Sequence, residues 1–241
     1  MIAFIYAVLA YSAFLVVSVY AVGFAGGFLV PASLDGPLAF SFAQAVTTDI
    51  ILLMVFGLQH SVMARPWFKK IWTRFIPVHA ERSTYVLISS ALMVILFAGW
   101  RPVPDIVWDL ASPLARWVVW ALFGAGWGIL LLSTFMISHV ELFGLKQAWA
   151  NWRRQRVQDQ PFRVRWFYKL VRHPIMLGFF IAFWAVPTMT LGHLIFSIGM
   201  TVYIFIGLIF EERDLVTQLG DDYVQYQRRV PMLIPFTKRG E

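Results

Sequence analysis

The sequence contains no cysteine, which excludes disulfides, thiolate metal sites and covalent cysteine catalysis while leaving the compartment open. Charge is scarce as well: only 14% of the 241 residues are Asp, Glu, Lys or Arg, and no stretch reads as an attached soluble domain. Acids are almost missing from the apolar runs, which removes the buried carboxylates that a proton-coupled pump needs. Asp49, within Thr-Thr-Asp, reads equally as a helix-start cap or interfacial group and as a functional carboxylate. The two halves share neither loop lengths nor motifs, which argues against an inverted-repeat transporter. The N-terminus lacks a short charged start and a small-residue cleavage site, so the first apolar run reads as a retained span.

What is present is hydrophobic: 59% of residues are apolar, gathered into runs from about Ile2 to Val30, Phe42 to Met63, Thr84 to Trp100, Leu114 to Ile137, Ile175 to Thr190 and Leu194 to Phe210. At about 1.5 Å per residue the last two fall short of a full hydrocarbon core, and a tilted hairpin that only partly crosses leaves five or six spans open. The expected fold is an all-α polytopic membrane helical bundle, a single domain over residues 1–241, with five or six transmembrane helices and cytoplasmic amphipathic helices toward the C-terminus.

Of the 20 Lys and Arg residues, only Arg101 and Arg116 fall away from the second loop, the fourth loop and the C-terminal tail. That asymmetry places both termini and the basic loops in the cytoplasm, so an active face is expected there, in a bacterial inner membrane. The net charge of +7 therefore reads as topology and contact with membrane lipids, not as nucleic-acid binding. The Trp- and Arg-rich segment from Lys146 to Arg172 reads as a pair of amphipathic helices on the membrane surface. The pairs Gly23/Gly27 and Gly124/Gly128, four apart, read as helix-packing contacts.

Polar groups at membrane depth cluster at one level. His60 ends the second run, His139 and Glu141 close the fourth, Arg172 and His173 open the fifth, and Glu211, Glu212 and Arg213 close the sixth. There, ionisable groups can converge on a water-reachable pocket without the full cost of burial. His193 belongs to the opposite face and reads as structural, and His79 has no assigned role. Tight metal-ligand spacing is absent, so no metal is expected. Gly124 to Gly128 lies within an apolar helix and follows no strand, which fails the context of a dinucleotide fingerprint.

Tyr168-x-x-x-Arg172-His173-Pro174-x-Met176-x-Gly178 resembles the Tyr-x-x-x-Arg-His-Pro-x-Tyr-x-Gly signature of the membrane methyltransferases related to isoprenylcysteine carboxyl methyltransferase and phospholipid methyltransferase. A second half matches too: Glu211-Glu212, Leu215, Gly220, Tyr223, Tyr226, Arg229-Val230-Pro231 and Pro235. Together they cover about Phe162 to Phe236, which the resemblance makes an S-adenosylmethionine-binding segment. It implicates Tyr168, Arg172, His173, Pro174, Met176, Gly178, Glu211 and Glu212 in cofactor binding and places Arg229 near the acceptor. Met176 stands where the family usually has Tyr, and Trp166-Phe167 replaces its common Gly-Pro. Gln59-His60-Ser61-Val62-Met63-Ala64-Arg65-Pro66, Glu81 to Tyr85, the His-Pro-Ile-Met variant and Gly192-His193 are similar to the methanethiol S-methyltransferases, which make dimethyl sulfide.

Methyl transfer from a sulfonium is an in-line displacement that needs alignment and a dry pocket, which membrane helices can supply. A small thiol substrate, with a pKa no lower than the value of about 8.5 for Cys, is mostly protonated at neutral pH, so a base or a cation that stabilises thiolate is needed. His60 is the expected base because an ordinary imidazole pKa of about 6.5 suits proton acceptance, with His139 in reserve and Arg229 stabilising thiolate. Aromatic faces, 17% of the residues being Phe, Trp or Tyr, suit the donor's sulfonium. Other readings are a lipid or isoprenylcysteine acceptor, an NADPH-dependent reductase of the sterol type, and a non-enzymatic membrane protein.

Overall fold

Each apolar run forms a helix over most of its length, and the residues at the ends of the first two explain their limits. The computed structural model describes residues 1–155 and 164–237. α1 (Ile2–Gly26) stops at Gly27, whose φ of 70° only glycine adopts without strain, and the Phe28 N–H returns to the Gly23 carbonyl. α2 (Phe42–Ala64) starts in a capping box: the Ser41 hydroxyl accepts from the Gln44 N–H, and the Gln44 amide oxygen accepts from the Ser41 N–H. Pro66 ends α2 and occupies the first turn of α3 (Pro66–Trp72).

After α4 (Val78–Gly99) a strand β1 (Ile106–Asp109) precedes α5 (Pro113–Ile137) and the short α6 (His139–Leu142) and α7 (Leu145–Trp152). The chain then forms a 3-10 turn at Trp166–Lys169, α8 (Pro174–Trp184), β2 (Thr188–Thr190), α9 (Leu191–Leu219) and α10 (Asp221–Arg229). α1, α2, α4, α5 and α9 are long and apolar enough to cross a membrane, which makes this an all-α polytopic membrane protein. The last two runs differ from expectation. The fifth is an 11-residue helix, α8, but the sixth is not short, since α9 continues past the apolar residues for 29 residues in all. Of the expected surface-helix pair only α7 and the 3-10 turn fall in described residues; 156–163 lie outside them.

The described residues form two compact units: 1–109, 138–155 and 188–199 in the first, and 110–137, 164–187 and 200–237 in the second. In the first unit α4 packs on α1 and α2, and α7 packs on α1 and α4. Its aromatic core includes Phe24 against Phe97, with ring centroids 4.6 Å apart. Asp49 is not the cap of α2, a place taken by Ser41: it is fully buried within the helix, and its Oδ1 accepts the Arg101 N–H at 2.8 Å, holding the chain where it leaves α4. β1 and β2 pair antiparallel, and Thr188 Oγ1 donates to Asp109 Oδ1 at 2.6 Å. Beside them the fully buried His193 lies 3.6 Å from Asp35 Oδ2, and Thr190 donates to Asp35 Oδ1 at 2.6 Å. His193 is thus enclosed in the first unit, with Asp35 as its nearest acid.

In the second unit α8 lies against α5. A Cβ on Gly178 would meet the Gly126 carbonyl oxygen at 2.6 Å, and one on Gly126 would meet the Ala182 nitrogen at 2.7 Å. Only hydrogen at both positions permits this approach. The packing glycine of α5 is thus Gly126 and not the pair around it, because Gly124 and Gly128 face open space. Gly23 and Gly27 likewise serve the turn after α1: a Cβ on Gly23 would meet the Phe28 carbonyl oxygen at 2.6 Å.

Candidate active site

The second unit brings both halves of the signature together. Pro174 sits in the first turn of α8, and the residue before a proline is held extended, so His173 leaves the turn at φ −125° and does not cap the helix. The turn lies along the tail: the Arg172 N–H donates to the Pro231 carbonyl at 2.9 Å and the His173 N–H to the Met232 carbonyl at 3.2 Å. The Arg172 side chain, completely buried, then spans α9 and α10. Its Nε and Nη2 each donate to Glu212 at 2.8 Å, and Nη1 donates to the Gln227 and Val230 carbonyls at 3.1 and 2.6 Å. A guanidinium on the last carbonyls of α10 also meets the negative end of that helix.

Glu212 collects donors from both sides. Oε1 accepts from Arg172 Nε, from Tyr223 Oη at 2.8 Å and from His173 Nε2 at 2.7 Å; Oε2 accepts from Arg172 Nη2 and from Gln227 Nε2 at 2.5 Å. A carboxylate offers about four lone-pair sites, so Glu212 is saturated by its own chain. Burial, and then donation to this carboxylate, holds the Tyr223 phenol above its ordinary pKa and keeps it a donor. Tyr226 Oη donates to the Tyr168 carbonyl at 2.6 Å, and burial raises both phenols. Around Tyr223, Tyr226 and Val230 pack Val164, Leu215, Val216 and Leu219, an apolar seal behind the polar clasp.

Glu211 differs from its neighbour. Its side chain is 45% exposed, and its Oε2 lies 3.7 Å from His173 Nδ1. Met176 is half-buried in the first turn of α8, Gly178 packs on α5, and Arg229 is exposed in the last turn of α10. The sequence reading assigned no role to Tyr223 or Gln227. Their four-residue spacing puts them on one face of α10, which is the signal that could have found them.

The two expected bases lie in the first unit. His60 Nδ1 is 3.1 Å from Ser89 Oγ, and its ring lies 4.9 Å from that of Tyr85. His139 Nε2 is 2.7 Å from Tyr11 Oη, its ring edge-on to Tyr11 and Phe143, and burial holds its imidazole below the ordinary pKa.

A methanethiol S-methyltransferase of Mycobacterium tuberculosis is 50% identical over 235 residues, covering 98% of this chain and 96% of that protein. Methanethiol S-methyltransferase 2 of Bradyrhizobium diazoefficiens is 47% identical over 231 residues, 96% of this chain and 89% of that one. A methanethiol S-methyltransferase of a Pseudomonas species is also 47% identical over 231 residues, with the same coverage. No protein-family model and no solved structure matches the chain. The spans and the full-length likeness make the protein an integral membrane methyltransferase. More narrowly, it belongs to the methanethiol S-methyltransferase family.

Proposed function

We propose that the protein methylates methanethiol to dimethyl sulfide with S-adenosylmethionine as donor, at the cytoplasmic face of a bacterial inner membrane. The observation that carries this reading is the likeness to methanethiol S-methyltransferases over nearly the whole chain. The site supports it. S-Adenosylmethionine has a carboxylate, an ammonium and a ribose diol, and groups suited to each lie at the turn after His173. No side chain caps the N-terminus of α8, and Pro174 has no N–H while that of Leu177 goes to the His173 carbonyl, so the Ile175 and Met176 N–H groups are those that suit the carboxylate. The half-exposed Glu211 suits the ammonium or the diol. Glu212, engaged by five hydrogen bonds, holds the turn and α10 in place for them.

When bound, the donor supplies an electrophilic methyl on sulfonium: the thiolate sulfur forms the new C–S bond as the old bonding pair returns to the donor's sulfur. The thiol proton must go to a base. His60 is the proposed acceptor, oriented through Nδ1 by Ser89, with His139 in reserve. Arg229 is proposed to favour thiolate. Met176, where relatives of the wider superfamily carry Tyr, is proposed to shape the site for a small apolar acceptor.

Purified protein offered S-adenosylmethionine or NADPH in equilibrium dialysis should retain the first only. A panel of thiols and lipids should then yield product with methanethiol. Retention of NADPH alone, or methylation of a lipid alone, would overturn the proposal.

A further inference from the structure

The first unit carries an open groove of about 410 Å³ that the methyl-transfer reading does not use. It lies between the first turns of α1, which contribute Phe4, Val8 and Tyr11, and α7, which contributes Leu145, Lys146 and Trp149. Its size is that of an ordinary ligand pocket. The Tyr11 hydroxyl, the nearest polar group of the α1 wall, is already joined to His139, so the interior offers apolar and aromatic surface. Phe4 is fixed edge-on to Trp149 and stacked on Trp152, which makes the wall rigid. Whatever enters must be apolar along its body.

The rim has a different character. Phe4 to Tyr11 lie at the end of a spanning helix, the level at which acyl chains give way to headgroups. Lys146 borders the groove, and Arg153 lies one turn beyond Trp149 with its guanidinium over that ring at 5.4 Å. Lys146 Nζ contacts Glu141 Oε2 at 2.6 Å, but an ammonium has three donors, so two are available beyond that pair. Arg154 follows directly. An apolar slot with a cationic rim at interfacial depth complements a molecule with an apolar chain and an anionic end.

We propose that this groove seats an acyl chain of one anionic phospholipid, whose phosphate lies against Lys146 and Arg153, and that the lipid fastens α7 to α1. The test uses the whole protein in nanodiscs of equal phosphatidylglycerol and phosphatidylcholine, released into mild detergent and weighed by native mass spectrometry. One phosphatidylglycerol should be retained per chain. Lys146→Gln should reduce that retention about five-fold, the effect of one interfacial cation. Glu141→Gln, which frees Lys146 and removes an acid, should increase it. Val8→Trp fills the slot from an already exposed position and should abolish retention, with circular dichroism confirming helix content. Equal retention of phosphatidylcholine, or an adduct that survives Val8→Trp in folded protein, overturns the proposal. If Val8→Trp does not fold, the opposite signs expected for Lys146→Gln and Glu141→Gln decide the matter, and equal effects refute it.

Discussion

Glu211 and Glu212 are adjacent in sequence and assigned opposite duties, and substituting each by Gln separates those duties. At 212 the amide keeps the shape but loses the charge, and it turns an NH2 toward donors. Arg172, whose side chain has no exposed surface, is then left without its counter-ion, as are the bonds from His173, Tyr223 and Gln227. Breaking a buried ion pair from one side costs about 3–5 kcal/mol. For a chain of this size that lowers the unfolding midpoint on the order of 10 °C. At 211 nothing comparable is lost, because the side chain is nearly half exposed. Glu211→Gln should leave the midpoint within about 2 °C. It should, however, weaken S-adenosylmethionine binding by about 10-fold or more, the value of a hydrogen bond to a charged group. Thermal melts followed by tryptophan fluorescence and a binding isotherm on the same preparations read both effects. A Glu212→Gln protein that melts like the parent, or a Glu211→Gln protein with unchanged affinity, would refute the division.

Three other outcomes follow from local geometry. Trp166 has φ of 42°, a left-handed conformation at the position where the wider superfamily commonly has Gly, and its side chain is 75% exposed; Trp166→Gly should stabilise the fold by about 1 kcal/mol in a denaturation midpoint. Gly178→Ala and Gly126→Ala force a methyl into backbone and should each cost about 1–3 kcal/mol or more, whereas Gly124→Ala, facing open space, should not destabilise α5. Because burial lowers the pKa of His139, the folded protein binds fewer protons there than the unfolded chain. Its contribution is complete above the unfolded value of about 6.5 and is lost as pH falls below it. The melting midpoint should therefore drop on acidification, and by less in His139→Gln.

The spans were legible from their apolar runs, and two of their ends from residues with their own backbone demands: Gly27 in the left-handed conformation ends α1, and the Arg65-Pro66 step ends α2. The extent of α9 was not. Hydropathy stops near Phe210, but a helix continues as long as its backbone bonds and one apolar face persist. Leu215, Val216 and Leu219 provide that face against Tyr223, Tyr226 and Val230 until Gly220, at φ 60°, breaks it. The two site halves were legible from their signature, yet the signature does not distinguish a ligand residue from a clasp residue. Glu212 differs from Glu211 only in which donors face it across 40, 39, 11 and 15 residues of intervening chain. Gly178 shows the same ambiguity: the resemblance set it among cofactor residues, and its immediate neighbours are Gly126 and Leu130 of α5.

The central claim is a methyl group moving from S-adenosylmethionine to a small thiol. Membranes containing the protein, given methanethiol and S-adenosylmethionine deuterated on its transferable methyl, should release dimethyl sulfide that carries one fully deuterated methyl, detected by headspace mass spectrometry. Membranes carrying the Glu211→Gln variant should release far less at limiting donor. Unlabelled dimethyl sulfide alone, or none from membranes in which the intact protein is present and folded, would contradict the account.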